Sequence, residues 1–147
     1  MARTFTRRSL LFALTGIVAG SAAASARVAR RQSAIDPSRV VLAGFSNGAS
    51  QAFIMGMQDP EAYAGILPIA GFYDERVAPV PAGKRLPRFA ILNGELDEEA
   101  GNNRKAAAAL RAAGGKVKLE IYPRLGHAFP PDHEAELRSA LRFLLEK

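Results

Sequence analysis

Cysteine is absent from this 147-residue sequence, and histidine occurs only at His127 and His133. The lack of cysteine excludes disulfides, thiolate nucleophiles, thiolate metal ligands and lipoprotein attachment. The two histidines and the scattered acidic residues show no ligand spacing such as H-x-x-x-H, so we predict no metal site. Glycine-rich phosphate loops are also missing, because Gly114-Gly115 is placed to end a helix. We therefore predict no cofactor.

Acidic residues are missing from residues 1–31, which contain six arginines. Removing these six from the 20 basic residues leaves 14, which equals the number of acidic residues. The net charge of +6 therefore belongs to this segment. The remainder is neutral and has no basic cluster interleaved with aromatic residues, so we predict no nucleic-acid partner.

Residues 1–26 are typical of an export signal. Arg7-Arg8 and the following Ser-Leu-Leu-Phe resemble a twin-arginine signal, which routes folded proteins across the bacterial inner membrane. A weakly apolar stretch and small residues ending at Ala26 come next. We predict cleavage after Ala26, recognition by the export machinery, a periplasmic or secreted location, and a domain over residues 27–147. The alternative is an uncleaved anchor, although about 17 weakly apolar residues are at the low edge of what spans a bilayer.

Short apolar runs alternate with amphipathic stretches from residue 34 onward, which is typical of βα units. The pattern predicts strands at 40–43, 64–69, 89–92 and 117–121, and helices at 46–57, 103–113 and 132–146. A further helix is an option at 26–33, and residues 73–87 are expected to form a long loop. The predicted fold class is α/β, with three layers (αβα) and a short, mostly parallel sheet of about four strands. Alternating polarity at 117–121 places that strand near an edge.

Residues 44–48 form the motif Gly-Phe-Ser-Asn-Gly, directly between the first predicted strand and the first helix. A strand that turns sharply into a helix leaves little room beside the turning residue, and the two glycines are expected to provide it. Ser46 is therefore a candidate nucleophile.

A serine nucleophile needs an imidazole to take its proton and a carboxylate to orient that imidazole. His127 follows the fourth predicted strand and Asp97 follows the third, so both are expected at the carboxyl edge of the sheet, beside Ser46. The order Ser, Asp, His is the one expected for the α/β-hydrolase arrangement. Glu95, Glu98 and Glu99 compete with Asp97, which is preferred because Gly94 lets its side chain turn inward.

The chain resembles the carboxyl half of an α/β-hydrolase, close to the dienelactone hydrolase and carboxylesterase/acyl-thioesterase group. Five phrases carry the resemblance: residues 35–40, the motif at 44–48, Ile-Ala-Gly-Phe at 69–72, Asn-Gly-Glu-Leu-Asp at 93–97, and Gly-His at 126–127. The resemblance implies hydrolysis of a small-molecule ester or thioester through an acyl-enzyme on Ser46. In that scheme the Asn47 backbone N–H is an oxyanion donor, and Phe72 is a candidate substrate-binding residue.

Members of this family place several strands before the nucleophile strand, and a loop there supplies the second oxyanion N–H. We therefore expect a shortened domain in which strand 40–43 is an open edge, available for self-association. Two alternatives to an active hydrolase stay open. One is a catalytically impaired remnant, and the other is a domain completed by a partner chain.

Overall fold

The computed structural model describes residues 36–146. The predicted signal at 1–26 and the optional helix at 26–33 lie outside this range. The described chain forms, in order, β1 (Val41–Phe45), α1 (Asn47–Gln58), β2 (Gly65–Ile69), β3 (Arg88–Gly94), α2 (Ala100–Ala112), β4 (Val117–Tyr122) and α3 (His133–Leu144). Short 3-10 helices occupy Pro37–Arg39 and Pro60–Ala62.

The four strands form one sheet in the order β1-β2-β3-β4, and every pairing is parallel. Parallel neighbours require a crossover between successive strands. Helices α1 and α2 provide the first and third crossovers, whereas the segment between β2 and β3 contains the predicted loop at 73–87. The carboxyl ends of all four strands therefore meet at one edge.

Two apolar clusters cover the two faces of the sheet. Phe53 of α1 and Leu110 of α2 pack with Ile66 and Phe89 on one face. Leu144 of α3 packs with other strand residues on the opposite face. The predicted three-layer α/β class is confirmed. Buried β2 and β3 account for the continuous apolar runs in the sequence, because both of their faces are covered.

The element boundaries differ from the sequence prediction by a few residues. β1 continues through Gly44 to Phe45 because it stays paired with β2 up to Ile69. Helix α2 begins three residues earlier than predicted, at Ala100. The extension of β1 comes from strand pairing, which local apolar patterns do not record, whereas the first turn of α2 is closed by local bonds such as that from the Ala100 N–H to the Asp97 carbonyl.

Two predicted helix caps, Asp132 and Gly114, agree with the structure. The Asp132 side chain accepts a hydrogen bond from the Ala135 N–H at the start of α3. Gly114 ends α2 with a φ of +84°, the left-handed conformation that glycine adopts without strain.

The strands β1 and β4 are the two edges of the sheet formed by residues 36–146. β4 is half-buried along its whole length, as its alternating sequence predicts. Within the described part of the chain, no helix is both long and apolar enough to cross a membrane.

Candidate active site

Ser46 occupies a strained turn between β1 and α1. Its φ of 54° and ψ of −123° are unusual for a residue with a side chain, at a cost of about 1–3 kcal/mol. The Ser46 N–H donates to the Ile69 carbonyl of β2 at 2.9 Å, and the Ser46 carbonyl accepts from the Ala49 N–H at 2.9 Å. Strand pairing on one side and the helix on the other therefore hold the strained serine in place.

The two motif glycines have different roles in this turn. A Cβ on Gly44 would lie 2.1 Å from the Gly48 carbonyl oxygen, so only glycine fits there. A Cβ on Gly48 would meet nothing within 4 Å among the described residues. The expectation that both glycines make room for the turn is therefore correct for Gly44 and wrong for Gly48.

The structure brings Ser46, His127 and Asp97 together. His127 Nε2 lies 2.9 Å from Ser46 Oγ, and His127 Nδ1 lies 2.8 Å from Asp97 Oδ2. The Asp97 side chain is fully buried, whereas 47% of the His127 side chain is exposed. A buried carboxylate against one ring nitrogen and a hydroxyl against the other is the geometry of a nucleophile, its base and the residue that orients the base.

Asp97 is anchored on both carboxylate oxygens. Its Oδ1 accepts a hydrogen bond from the Glu99 N–H at 2.9 Å, while Oδ2 faces His127. Of the competing acids, Glu95 accepts from the Arg124 N–H at 3.2 Å. Burial raises the pKa of the Glu99 carboxyl, the charges of Glu98 and Asp97 add to that rise, and His127 opposes it.

The loops that carry Asp97 and His127 are held against each other by backbone contacts. Glu95 N–H donates to the Tyr122 carbonyl at 2.9 Å, and Leu96 N–H donates to the Leu125 carbonyl at 2.8 Å. A Cβ on Gly94 would lie 2.2 Å from the Gly126 carbonyl oxygen. Gly94 therefore serves the site by letting the histidine loop approach β3.

Asn47 is the first residue of α1, so its N–H has no acceptor within the helix. This N–H belongs to the residue next to Ser46, as the sequence predicts for an oxyanion donor. The positive end of the helix macrodipole adds to the attraction for negative charge at this position.

Phe72 lies in the segment after β2, which three polar side chains hold in place. The Asn103 Nδ2 donates to the Gly71 carbonyl at 2.7 Å, and the Phe72 N–H donates to Ser50 Oγ at 3.0 Å. The Asn102 side chain exchanges two hydrogen bonds with the Tyr73 backbone, each of 2.9 Å. Phe72 is 42% exposed and lines an open cavity of about 300 Å³ against the outer side of α2.

Several residues that shape the site were missed by the sequence analysis. Phe45, the second residue of the motif, has its ring centroid 5.3 Å from that of His127. Arg124 has a φ of 60° in the turn that leads to His127. The adjacent pair Asn102-Asn103, placed just after the acidic loop, was a usable signal, because asparagines near a helix start often bond to neighbouring backbone.

His133 is exposed in the first turn of α3 and takes no part in the cluster around Ser46. Among residues 36–146, no three histidine or acidic side chains are grouped closely enough to hold a metal ion.

A serine, an aspartate and a histidine that follow β1, β3 and β4 at one edge of a parallel sheet are the arrangement of an α/β-hydrolase. A family model described as Phospholipase/Carboxylesterase matches residues 16–145. The chain belongs to this family. Of the groups that the sequence resembles, the match is therefore to the carboxylesterases. The match begins at residue 16 and so overlaps the end of the predicted signal at 1–26.

The relatives agree with this assignment. The chain is 28% identical over 118 residues to acyl-protein thioesterase 1 of Gibberella zeae, a match that covers 75% of this chain and 50% of that protein. It is 27% identical to esterase PE8, with a TM-score of 0.66, covering 80% of this chain and 58% of that one. SOBER1 of Arabidopsis thaliana shares the fold at 19% identity, with a TM-score of 0.66 and coverage of 84% and 60%. The chain thus spans about half the length of the curated relative.

Proposed function

We propose that this protein is a serine hydrolase that cleaves a carboxylic ester or thioester of a small molecule through an acyl-enzyme on Ser46. The observation that carries the proposal is the continuous chain of contacts from Ser46 Oγ through His127 to buried Asp97. Family membership supports ester hydrolysis, and the thioester alternative follows from the relative named as a thioesterase.

In the acylation half of the reaction, Ser46 Oγ attacks the carbonyl carbon while His127 Nε2 takes the hydroxyl proton. His127 Nδ1–H donates to Asp97, which fixes the tautomer and stabilises the imidazolium that forms. The Asn47 N–H donates to the oxyanion of the tetrahedral intermediate. The intermediate collapses when the carbonyl–leaving-group bond breaks, and Nε2 returns the proton to the departing alcohol or thiol.

In the second half, a water molecule takes the position of the leaving group. His127 Nε2 removes a proton from this water as its oxygen attacks the acyl carbon. Collapse of the second intermediate releases the carboxylic acid, and the proton returns to Ser46 Oγ. The exposed side of His127 supports this step, because the imidazole must be reachable by water and by the leaving group.

A fluorophosphonate probe tests the proposal on the purified full chain. We expect covalent labelling at Ser46, hydrolysis of a short p-nitrophenyl ester and of the matched thioester, and loss of both signals in Ser46→Ala. Ser139→Ala, a serine on α3, is the matched control and is expected to label like the wild type. Folded wild-type protein that neither labels nor hydrolyses would rule the proposal out. The ratio of ester to thioester rates selects between the two substrate classes.

Phe72 is proposed to contact the substrate. Its backbone is tied to Ser50, whose N–H bonds to the Ser46 carbonyl one helical turn away, so the segment that carries Phe72 adjoins the nucleophile turn. Phe72→Ala is expected to raise KM for longer acyl chains more than for acetyl esters. An equal change in KM for all acyl chain lengths would show that Phe72 does not contact the acyl chain.

The free edge of β1 is proposed to pair with a further strand, either from a second copy or from a partner chain. β1 pairs only with β2 in the part of the sheet formed by residues 36–146, although Val41 and Leu42 are buried. An exposed apolar edge of this kind favours pairing with another strand. Sedimentation equilibrium tests this: a monomer at all concentrations would contradict self-association.

Export through the twin-arginine route remains our proposal for residues 1–26, with a periplasmic or secreted location. Replacing Arg7 and Arg8 by lysine is expected to retain the full-length precursor in the cytoplasm, as followed by cell fractionation. Unchanged export of that variant would exclude the twin-arginine route.

A further inference from the structure

The aromatic ring of Phe45 contacts two other rings at the active site. Its centroid is 5.3 Å from that of His127 at an interplanar angle of 52°, and 4.6 Å from that of Phe129 at 15°. Phe45 thus contacts both the imidazole of His127 and the ring of Phe129, which is 45% exposed.

The two hydrogen bonds of His127 leave one motion of its ring less restrained than the others. The bonds to Ser46 and Asp97 are made by Nε2 and Nδ1, and two such points define one axis through the ring. Rotation of the imidazole about that axis leaves both nitrogens near their partners. The Cβ of His127 opposes this rotation only through the backbone of its loop, and the Phe45 ring adds a contact away from the axis that restrains the plane of the imidazole.

Phe45 is well placed to do this because it belongs to the same rigid element as the nucleophile. It is the last residue of β1, is paired with Ile69 of β2, and directly precedes Ser46. Its side chain also packs with the apolar cluster beneath α3. A positioning contact works best on an element whose own place is fixed by packing.

We propose that Phe45 is a positioning residue that restrains the plane of the His127 imidazole, with Phe129 stacked on the Phe45 ring. The proposal rests on the proposed function, in which His127 is the general base. It assigns a role to Phe45, the second residue of the Gly-Phe-Ser-Asn-Gly motif. Phe45 can fill this role without contacting the substrate.

Phe45→Leu tests this role, with Phe45→Tyr as the rescue. Aromatic contacts of this kind are modest, so we expect Phe45→Leu to lower kcat for a short p-nitrophenyl ester about three- to tenfold. We expect KM to stay within about twofold, because Phe45 acts through His127. Phe45→Tyr keeps a ring of the same shape and is expected to restore kcat to within about twofold. The low-field Nδ1–H proton resonance of His127 is expected to broaden in Phe45→Leu and to sharpen again in Phe45→Tyr.

The matched control is Phe53→Leu. Phe53 is a buried aromatic of α1 that packs against Tyr73 and Phe89 on the opposite face of the sheet. We expect this variant to lower Tm at least as much as Phe45→Leu while kcat changes less than about twofold, since a large-to-small change in the core acts on stability.

The outcomes separate the proposal from the function on which it rests. If the wild type neither labels with a fluorophosphonate nor hydrolyses esters, both fail. If the wild type reacts and Phe45→Leu keeps its kcat, or Phe45→Tyr fails to restore it, the hydrolase stands and the role of Phe45 is refuted. Parallel losses of kcat and Tm in Phe45→Leu and Phe53→Leu would also refute it, because they would show a purely structural contribution.

Discussion

The Gly94→Ala substitution tests whether close approach of the two loops sets the distance between Asp97 and His127. Gly94 ends β3, three residues before Asp97, and faces the backbone just before His127. The added methyl would lie 2.2 Å from the Gly126 carbonyl oxygen and 2.3 Å from that of Leu125. Both neighbours are backbone, so neither can be relieved by turning a side chain.

The size of the effect follows from these distances. Real Cβ atoms essentially never approach closer than 3.0 Å, so the histidine loop must move by about 1 Å. His127 follows Gly126 directly. A shift of this size would lengthen its hydrogen bonds of 2.8 and 2.9 Å to Asp97 and Ser46 beyond hydrogen-bond distance. A misplacement of about 1 Å in a catalytic group can lower the rate about 10²-fold. Overpacking is expected to cost about 1–3 kcal/mol of stability as well.

The assay compares kcat for a short p-nitrophenyl ester, the rate of fluorophosphonate labelling and Tm across three glycine variants. Gly94→Ala is expected to lose about 10²-fold in kcat while remaining folded. Gly126 is the residue whose carbonyl oxygen the Gly94 methyl would meet. In Gly126→Ala, however, the new Cβ would meet nothing within 4 Å among the described residues. Gly101→Ala lies on α2 with equally open space and is expected to raise stability by about 0.5–1 kcal/mol. Both controls are expected to keep their activity.

Wild-type labelling and a kcat within about threefold of wild type in folded Gly94→Ala would show that close approach at Gly94 does not set the distance between Asp97 and His127. Equal losses in Gly94→Ala and Gly126→Ala would lead to the same conclusion, because the structure predicts a clash for the first variant and none for the second.

Three further predictions concern stability. Ser46→Gly removes the strain of a positive φ and is expected to raise the free energy of unfolding by about 1 kcal/mol while abolishing hydrolysis. Asn103→Ala removes the donor to the Gly71 carbonyl and to Asn93 Oδ1, both buried, and is expected to cost about 2–4 kcal/mol. Glu99→Gln is expected to raise Tm more at pH 7 than at pH 4. The pKa of Glu99 is raised in the folded state, so its ionised form destabilises the fold. The free energy of unfolding therefore falls as the pH rises from the ordinary pKa of a glutamate through the raised pKa of Glu99.

Chemical denaturation measures the first two changes, and thermal melts at the two pH values measure the third. Ser46→Gly less stable than the wild type would argue against strain in the turn. A loss below about 1 kcal/mol in Asn103→Ala would show that water replaces its bonds. A Tm gain for Glu99→Gln that is equal at both pH values would show that its charge has no part in stability.

The strands and helices were predictable because their signals are local. β2 and β3 read as continuous apolar runs because helices cover both of their faces, and α3 shows its apolar stripe and its Asp132 cap in consecutive residues. The strand ends were less accurate, since β1 extends to Phe45 only through its pairing with Ile69.

The candidate triad was predictable for a related reason. When βα units repeat, strand order places the residues after each strand at one edge. The motif around Ser46, the acid loop ending at Asp97 and the loop at His127 could therefore be assigned to one site from their positions alone. The hydrogen-bond distances between these residues could not be predicted in this way.

The α/β class, the order of the elements and the three residues whose chemistry suits a serine hydrolase follow from the amino-acid sequence, because each depends on residue type and local spacing. The roles of Gly94, Asn103 and Phe45 become visible only in the folded chain. Each of these acts on a segment reached only after folding: the histidine loop at 126–127, the Gly71 carbonyl and the His127 ring. Contacts across 30 to 80 residues depend on how the strands and helices pack, and no local pattern encodes that packing.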